Sequence, residues 1–421
     1  MADMSFKNAY WLTFVLLLIP IILGPSVVLQ SDPIERVRAF TRPIEFDYFT
    51  WTLDALGIKF SQLALNTADY MHEAEQSKTV LAELEVIRQI NQVNAQLNDI
   101  YADPAINNPE IASAGLVAQL HELRKRQAQL EPLAESILQD QVSLIAAEAG
   151  LTFGGQAIPS VLYHTTPPPD ALIISPREVI RQDQDISISP DISIDQMEKL
   201  ENQVDKALNV SSLVVGIDGI GTYPTMVQET TDINRLAEVV AHEWVHNYLT
   251  LRPLGVSYLN SPELRTMNET AASIAGSELG RAVIARFYSE YLPPPPAPAV
   301  SGEDQTQPAS PPVFNPQAEM HTTRVTTDRL LAEGKVEEAE AYMEQRRQFF
   351  WENGYHYRKI NQAFFAFYGA YADQPGGPAG ADPVGAAVRL LRQDSPSLAN
   401  FINRISWMWK FEQLQKAVGG G

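Results

Sequence analysis

The chain has 421 residues, of which 45% are hydrophobic and 19% charged; this suffices for a large core in two or three domains and excludes disordered or collagen-like classes. Acidic residues number 51 against 31 basic ones, a net charge of −20, and a field of that sign repels phosphate backbones, so no nucleic-acid partner is expected. The absence of cysteine removes disulfide scaffolds, thiolate zinc sites, iron–sulfur clusters and cysteine nucleophiles.

From Ala9 to Leu29 the chain carries no charge, with Tyr10 and Trp11 at one end. A run of that length can cross a hydrocarbon core of about 30 Å, and the aromatic rings suit the interface. No small-x-small cleavage site follows, so residues 1–30 read as a retained transmembrane helix and single-pass anchor rather than a cleaved signal.

Residues 31–150 read as a helical stalk or hairpin. An aromatic stretch from Phe46 to Phe60 suits a juxtamembrane helix. Leu81, Leu84, Ile87, Ile90, Val93, Leu97 and Ile100 then recur at three- and four-residue steps, one helical face. The turn-like segment 102–109 breaks that pattern, and a second leucine stripe runs from Leu116 to Leu144 with Pro132 inside it.

The character changes over residues 151–292. Short β-branched runs at 161–163, 171–174, 186–189 and 213–217 predict a small mixed sheet, with a helix from Gln196 to Leu208. The segment Gly219–Val227 reads as an edge strand, because Pro224 cannot donate to a central ladder. Its Gly219/Gly221 pair lacks the third glycine and the helix start of a phosphate-binding loop. Residues 293–316 hold 9 of the 29 prolines and read as a linker or surface insertion. The remainder, 317–421, predicts a helical C-terminal subdomain with helices at 318–346, 359–372, 384–392 and 398–418.

The chemistry concentrates in His242-Glu243-Trp244-Val245-His246, inside a helical pattern from Asn234 to Thr250 capped by Thr231 or Asp232. Positions i and i+4 of a helix project from one face, so the two imidazoles can share one zinc ion. Glu243 is too short to join them from the same turn but can reach water beside such an ion. A catalytic zinc needs a third protein ligand. After a loop with Pro253 and Gly255, a second helix capped by Ser261 carries Asn268-Glu269, twenty-three residues beyond His246.

A His-Glu-x-x-His motif followed by Asn-Glu on the next helix is similar to the gluzincins, the thermolysin-like and aminopeptidase-like zinc metallopeptidases. Arg358 to Tyr368 resembles the late helix of bacterial aminopeptidases of this group. The resemblance implies a zincin-like domain holding Zn2+ through His242, His246 and Glu269, with Glu243 as general base and acid. It also implies that a C-terminal aromatic stabilises the oxyanion, with Tyr368 first and then His356 and Tyr357. The small Ala271 and Ala272 would let the two helices approach. One departure is Ser273, where thermolysin-like enzymes place an aspartate that orients a ligand histidine; support for the ligands must come from elsewhere. His72, His121, His164 and His321 lack partners at ligand spacing and read as surface or satisfied core histidines.

The expectation is therefore an α+β, mostly helical protein: a membrane-anchored zinc metallopeptidase. A peptide or protein substrate would add itself along Thr222–Val227, with Glu229 or Glu278 as the anchor for a free amino terminus if the enzyme is an aminopeptidase. Arg36, Arg38 and Arg42 follow the anchor and only Lys7 precedes it, which favours a cytoplasmic domain. Long domains cross despite such charges, and anchored bacterial hydrolases commonly face outward, so an extracytoplasmic catalytic domain is expected. The alternatives are an inert zincin-like scaffold on the membrane and a zinc amidohydrolase for non-peptide amides.

Overall fold

The computed structural model describes residues 32–65, 67–102, 106–294, 314–371 and 377–419. The expected membrane anchor and all but the ends of the proline-rich tract lie outside these residues. Among the described residues no helix is long and apolar enough to cross a membrane. The backbone divides into two units, Met1–Pro43 and Ile44–Gly421. Within the first, helix α1 (Pro33–Thr41) starts at a proline, and the Asp32 side chain accepts from the Ile34 amide at 3.1 Å.

The second unit is mostly helical α+β. Helix α2 (Tyr48–Leu65) leads to a hairpin of α3 (Glu73–Ala102) and α4 (Pro109–Glu148), which continues through Pro132. Most of each leucine stripe turns inward, but Leu144, the last member of the second, is exposed and Ile145 takes the buried place. At the far end Val86, Ile90 and Val93 pack on Leu123, so the hairpin closes on itself. At its base Leu84, Ile87, Ile137 and Val142 join one core with Trp244, Val245, Ala271 and Ala272. The hairpin is thereby rooted in the body that carries the metal motif.

Strands β1 (Tyr163–Thr165), β2 (Asp170–Pro176) and β3 (Gln184–Ile188) precede α5 (Ile194–Leu208), β4 (Val210–Val215), β5 (Gly219–Ile220) and β6 (Thr225–Val227). They form two three-stranded sheets, β3-β2-β4 and β1-β6-β5. The first is antiparallel, with Ile173 opposite Leu213. In the second, β1 runs parallel to β6 and β5 antiparallel to it. This corrects the expected edge strand: Thr225–Val227 is the central strand, and the open edge is Gly219–Ile220. Pro224 lies in the turn between β5 and β6, outside the ladder, so its missing N–H costs no sheet hydrogen bond.

Helix α6 (Ile233–Thr250) is capped by Asp232, whose side chain accepts from the Asn234 amide at 2.9 Å. A short α7 (Pro253–Val256) leads to α8 (Pro262–Phe287), capped by Ser261 as expected. Ala271 and Ala272 are fully buried, yet the two backbones come nearest at glycines. A Cβ on Gly276 would stand 2.8 Å from His242 Cβ, and one on Gly280 2.8 Å from Glu238 Cα.

Each of two long expected C-terminal helices is two helices. Helices α9 (Pro316–Ala332) and α10 (Val336–Glu352) part at Gly334, whose φ of 74° no β-carbon-bearing residue adopts readily. Helix α11 (Gln362–Tyr368) follows, then α12 (Pro383–Gln393), and α13 (Leu398–Ser406) separates from α14 (Phe411–Gly419). Met320, Met343, Phe350, Phe364 and Phe365 cover the β2/β4 face through Ile173 and Leu213. Val388, Leu391, Phe401 and Ile402 instead extend the core beneath α6 and α8.

Candidate metal centre

Helices α6 and α8 cross so that three side chains meet on the floor of a cleft of about 840 Å³. His242 Nε2 and His246 Nε2 stand 3.1 Å apart, and Glu269 Oε2 is 3.4 Å from His246 Nε2 and 3.8 Å from His242 Nε2. A four-coordinate zinc with ligand bonds near 2.0–2.2 Å sets its ligand atoms roughly 3.3–3.6 Å apart. The three atoms already hold nearly that triangle. Glu269 Oε2 is fully buried without a hydrogen-bond partner, the state of an oxygen that awaits a cation. These residues fit the expected ion.

The surroundings orient His246 and Glu269. His246 Nδ1 faces Asn268 Oδ1 at 2.7 Å; an amide oxygen only accepts, so Nδ1 carries a proton and Nε2 is the nitrogen turned towards His242 and Glu269. Support for His246 thus comes from Asn268. Tyr258, from the loop after α7, donates to Glu269 Oε1, and Arg265 Nε donates to the Tyr258 oxygen at 3.3 Å. Arg265 is itself held by the Ala366 carbonyl at 3.1 Å.

Burial, followed by the adjacent His246, pushes the His242 imidazole down to about 3. Burial opposes charge on His246 as well, but Glu269 outweighs it and holds that imidazole up at about 9. Burial would raise the Glu269 carboxyl, yet His246 and Arg265 keep it far below the usual carboxylate range. Glu269 is therefore ionised and favours positive charge beside it, on His246 rather than on His242.

Glu243 lies on the same helix with its carboxyl in the cleft and makes no hydrogen bond among the described residues. Burial raises it to about 7. Strand β5 passes directly over it: a Cβ on Gly219 would come within 2.9 Å of Glu243 Oε1, and one on Gly221 within 3.1 Å of His246 Cβ. The glycine pair thus has a steric role that its spacing does not advertise. Asn247 ties this segment to α6 by donating to the Thr222 carbonyl at 3.1 Å and Thr225 Oγ1 at 3.0 Å.

Tyr368 stands elsewhere. It ends α11 against Phe364, ring centroids 4.7 Å apart, and is not part of the cleft wall. Three residues on, Tyr371 lines the cleft with its ring 6.5 Å from that of His242. Burial and then Glu269 hold its hydroxyl well above the usual phenol range, so it remains a donor. His356 stacks on Trp351 at 3.9 Å and Tyr357 packs on Phe350 and Phe364; neither lines the cleft. Glu229 accepts from Gln127 and Glu278 pairs with Arg392 at 2.7 Å, both away from the cleft. The carboxyl on the wall besides Glu243 and Glu269 is Asp185 of β3, which burial pushes above its usual range.

Comparison of the chain with protein-family models, with curated proteins and with solved structures found no match.

Proposed function

We propose that the chain is a zinc-dependent metallopeptidase of gluzincin type, with His242, His246 and Glu269 as the zinc ligands and residues 1–30 as its membrane anchor, the catalytic domain lying outside the cytoplasm. The observation that carries this reading is the triangle of ligand atoms 3.1–3.8 Å apart, closed by an otherwise unpartnered Glu269 Oε2. Glu243 beside it, free and tuned near neutrality, supports hydrolysis over mere metal storage.

When bound, zinc supplies a Lewis acid that polarises a carbonyl and acidifies water. The chain's own residues do the rest. A peptide lies against the open edge of β5, taking main-chain hydrogen bonds there. The Glu243 carboxylate accepts a proton from water as the new C–O bond forms, and returns it to the amine nitrogen as the C–N bond breaks. The Tyr371 hydroxyl donates to the oxygen on which negative charge develops. Apolar walls from Ile217, Val256 and Leu259 receive substrate side chains.

The test is zinc content and peptide cleavage by the full chain in detergent. Zinc should be lost in His246→Ala and Glu269→Ala and retained in Glu243→Gln, with cleavage lost in all three. Zinc retained in Glu269→Ala overturns the ligand set. A zinc-loaded chain that cleaves no member of a peptide library, with free or blocked amino termini, would be a zinc-binding scaffold or an amidohydrolase of other amides instead.

A further inference from the structure

A second group of titratable side chains lies away from the cleft, where α2, α3, α4 and β1 converge. Glu131 and Glu135 of α4 and His164 of β1 each offer one donor atom, and the three atoms lie within 4.8 Å of one another. Glu135 is fully engaged. Its Oε1 accepts from the Thr165 amide at 2.7 Å and contacts His164 Nδ1 at 2.9 Å; its Oε2 accepts from Lys59 Nζ at 2.6 Å and Gln62 Nε2 at 3.0 Å. A carboxylate bound to one imidazole nitrogen is the arrangement that orients a histidine towards a metal through the other. His164 Nε2 has no hydrogen bond among the described residues, and neither does Glu131.

The deeper observation is Glu83. It is 5% exposed, faces Glu131, Glu135 and Glu229, and has no hydrogen bond or ion pair among the described residues. A carboxyl buried in this way is costly unless something compensates it. The local cations are Lys59, on Glu135, and Arg124, 3.6 Å from Glu229. With all four carboxylates ionised and His164 neutral, as a metal ligand must be, two negative charges are left over, the charge of one divalent ion.

We propose that Glu131 and His164, backed by Glu83 and oriented by Glu135, form a second divalent-cation site, separate from the zinc centre and suited by its oxygen-rich donor set to an ion of the Mn2+ type. Glu131 and His164 are half-buried, which leaves the ion a path from solvent. The ion would clamp α4 to β1 at the base of the hairpin.

The test is titration of the zinc-loaded full chain with Mn2+, following the free-ion signal by electron paramagnetic resonance and the melting temperature in parallel. The expected result is one Mn2+ per chain with a raised melting temperature, unchanged in His246→Ala. Both effects should be lost in the near-isosteric Glu131→Gln and in His164→Ala, each still folded by circular dichroism. Failure to bind Mn2+ at millimolar concentration overturns the proposal. So does binding that survives Glu131→Gln and His164→Ala, or that disappears in His246→Ala.

Discussion

The hydroxyl of Tyr258 donates to Oε1 of Glu269, and this one bond turns the other carboxylate oxygen, Oε2, towards the two imidazoles. Arg265 holds the phenol oxygen in place from behind. Removal of the hydroxyl in Tyr258→Phe leaves the ring's packing and frees the carboxylate to rotate. Zinc affinity, measured by competition with a chromophoric chelator, should fall about 10–100-fold, the usual effect of losing a partner that orients a ligand. Unchanged affinity would show that Glu269 needs no such support.

Gly276 sets the distance between α6 and α8. Its missing Cβ would come within 2.8–3.0 Å of His242 Cβ, Cα and N, so Gly276→Ala must push α6 and α8 apart just where a ligand sits. The expected cost is about 1–3 kcal/mol of stability, together with loss of zinc. At Gly115 of α4 a Cβ would meet nothing within 4 Å, and Gly115→Ala should stabilise by about 0.5–1 kcal/mol. Urea unfolding of both variants checks the contrast.

Glu243→Gln preserves volume beneath Gly219 while removing the proton acceptor. Turnover should drop by roughly 10²–10⁴, with zinc content and melting temperature retained. Activity near that of the unmodified chain would exclude Glu243 as the base.

The two tyrosines after Phe367 make opposite forecasts. Tyr371→Phe should lower kcat about 10²–10³-fold if its hydroxyl meets the developing oxyanion, with little change in KM. Tyr368→Phe should leave kcat within about twofold, its ring being packed on Phe364 outside the cleft wall. The reverse result would restore Tyr368 to the site.

Glu83 predicts a pH dependence of stability in chelator-treated protein. Folded, its carboxyl keeps a proton up to about 8; its ordinary value is 4.5. The folded state binds more protons between those values, so stability is present below the lower value and is lost as pH rises through the upper one. Glu83→Gln cannot titrate. Its urea midpoint should therefore rise relative to the unmodified chain across this window, and a constant difference would sink the assignment.

Local periodicity made much of this protein readable. Leucines at three- and four-residue steps marked α3 and α4 as helices, and their docking decided for a hairpin over a stalk. The i, i+1, i+4 spacing of His242, Glu243 and His246 put them on one turn of α6 whatever lay around it, and Ser261 and Asp232 marked helix starts through short-range hydrogen bonds. Glu269 was reachable only by resemblance, since nothing local joins it to His246. Other features arise from packing between segments far apart in the chain and leave no periodic trace. Pro224 suggested an edge strand because a turn and an edge both tolerate a missing N–H, and only the pairing of β6 with β1 and β5 separates them. Gly276 is one glycine among 23 until α6 is laid against it. Tyr258 becomes Glu269's partner because the loop after α7 folds back over α8. Tyr371, and not Tyr368, enters the cleft because α11 ends at Tyr368 and the chain turns before Tyr371. The half-buried His164, read as a surface or satisfied core histidine, meets Glu135 across 29 residues. Side-chain spacing along a helix follows from backbone geometry alone, whereas the company a side chain keeps depends on how whole elements dock.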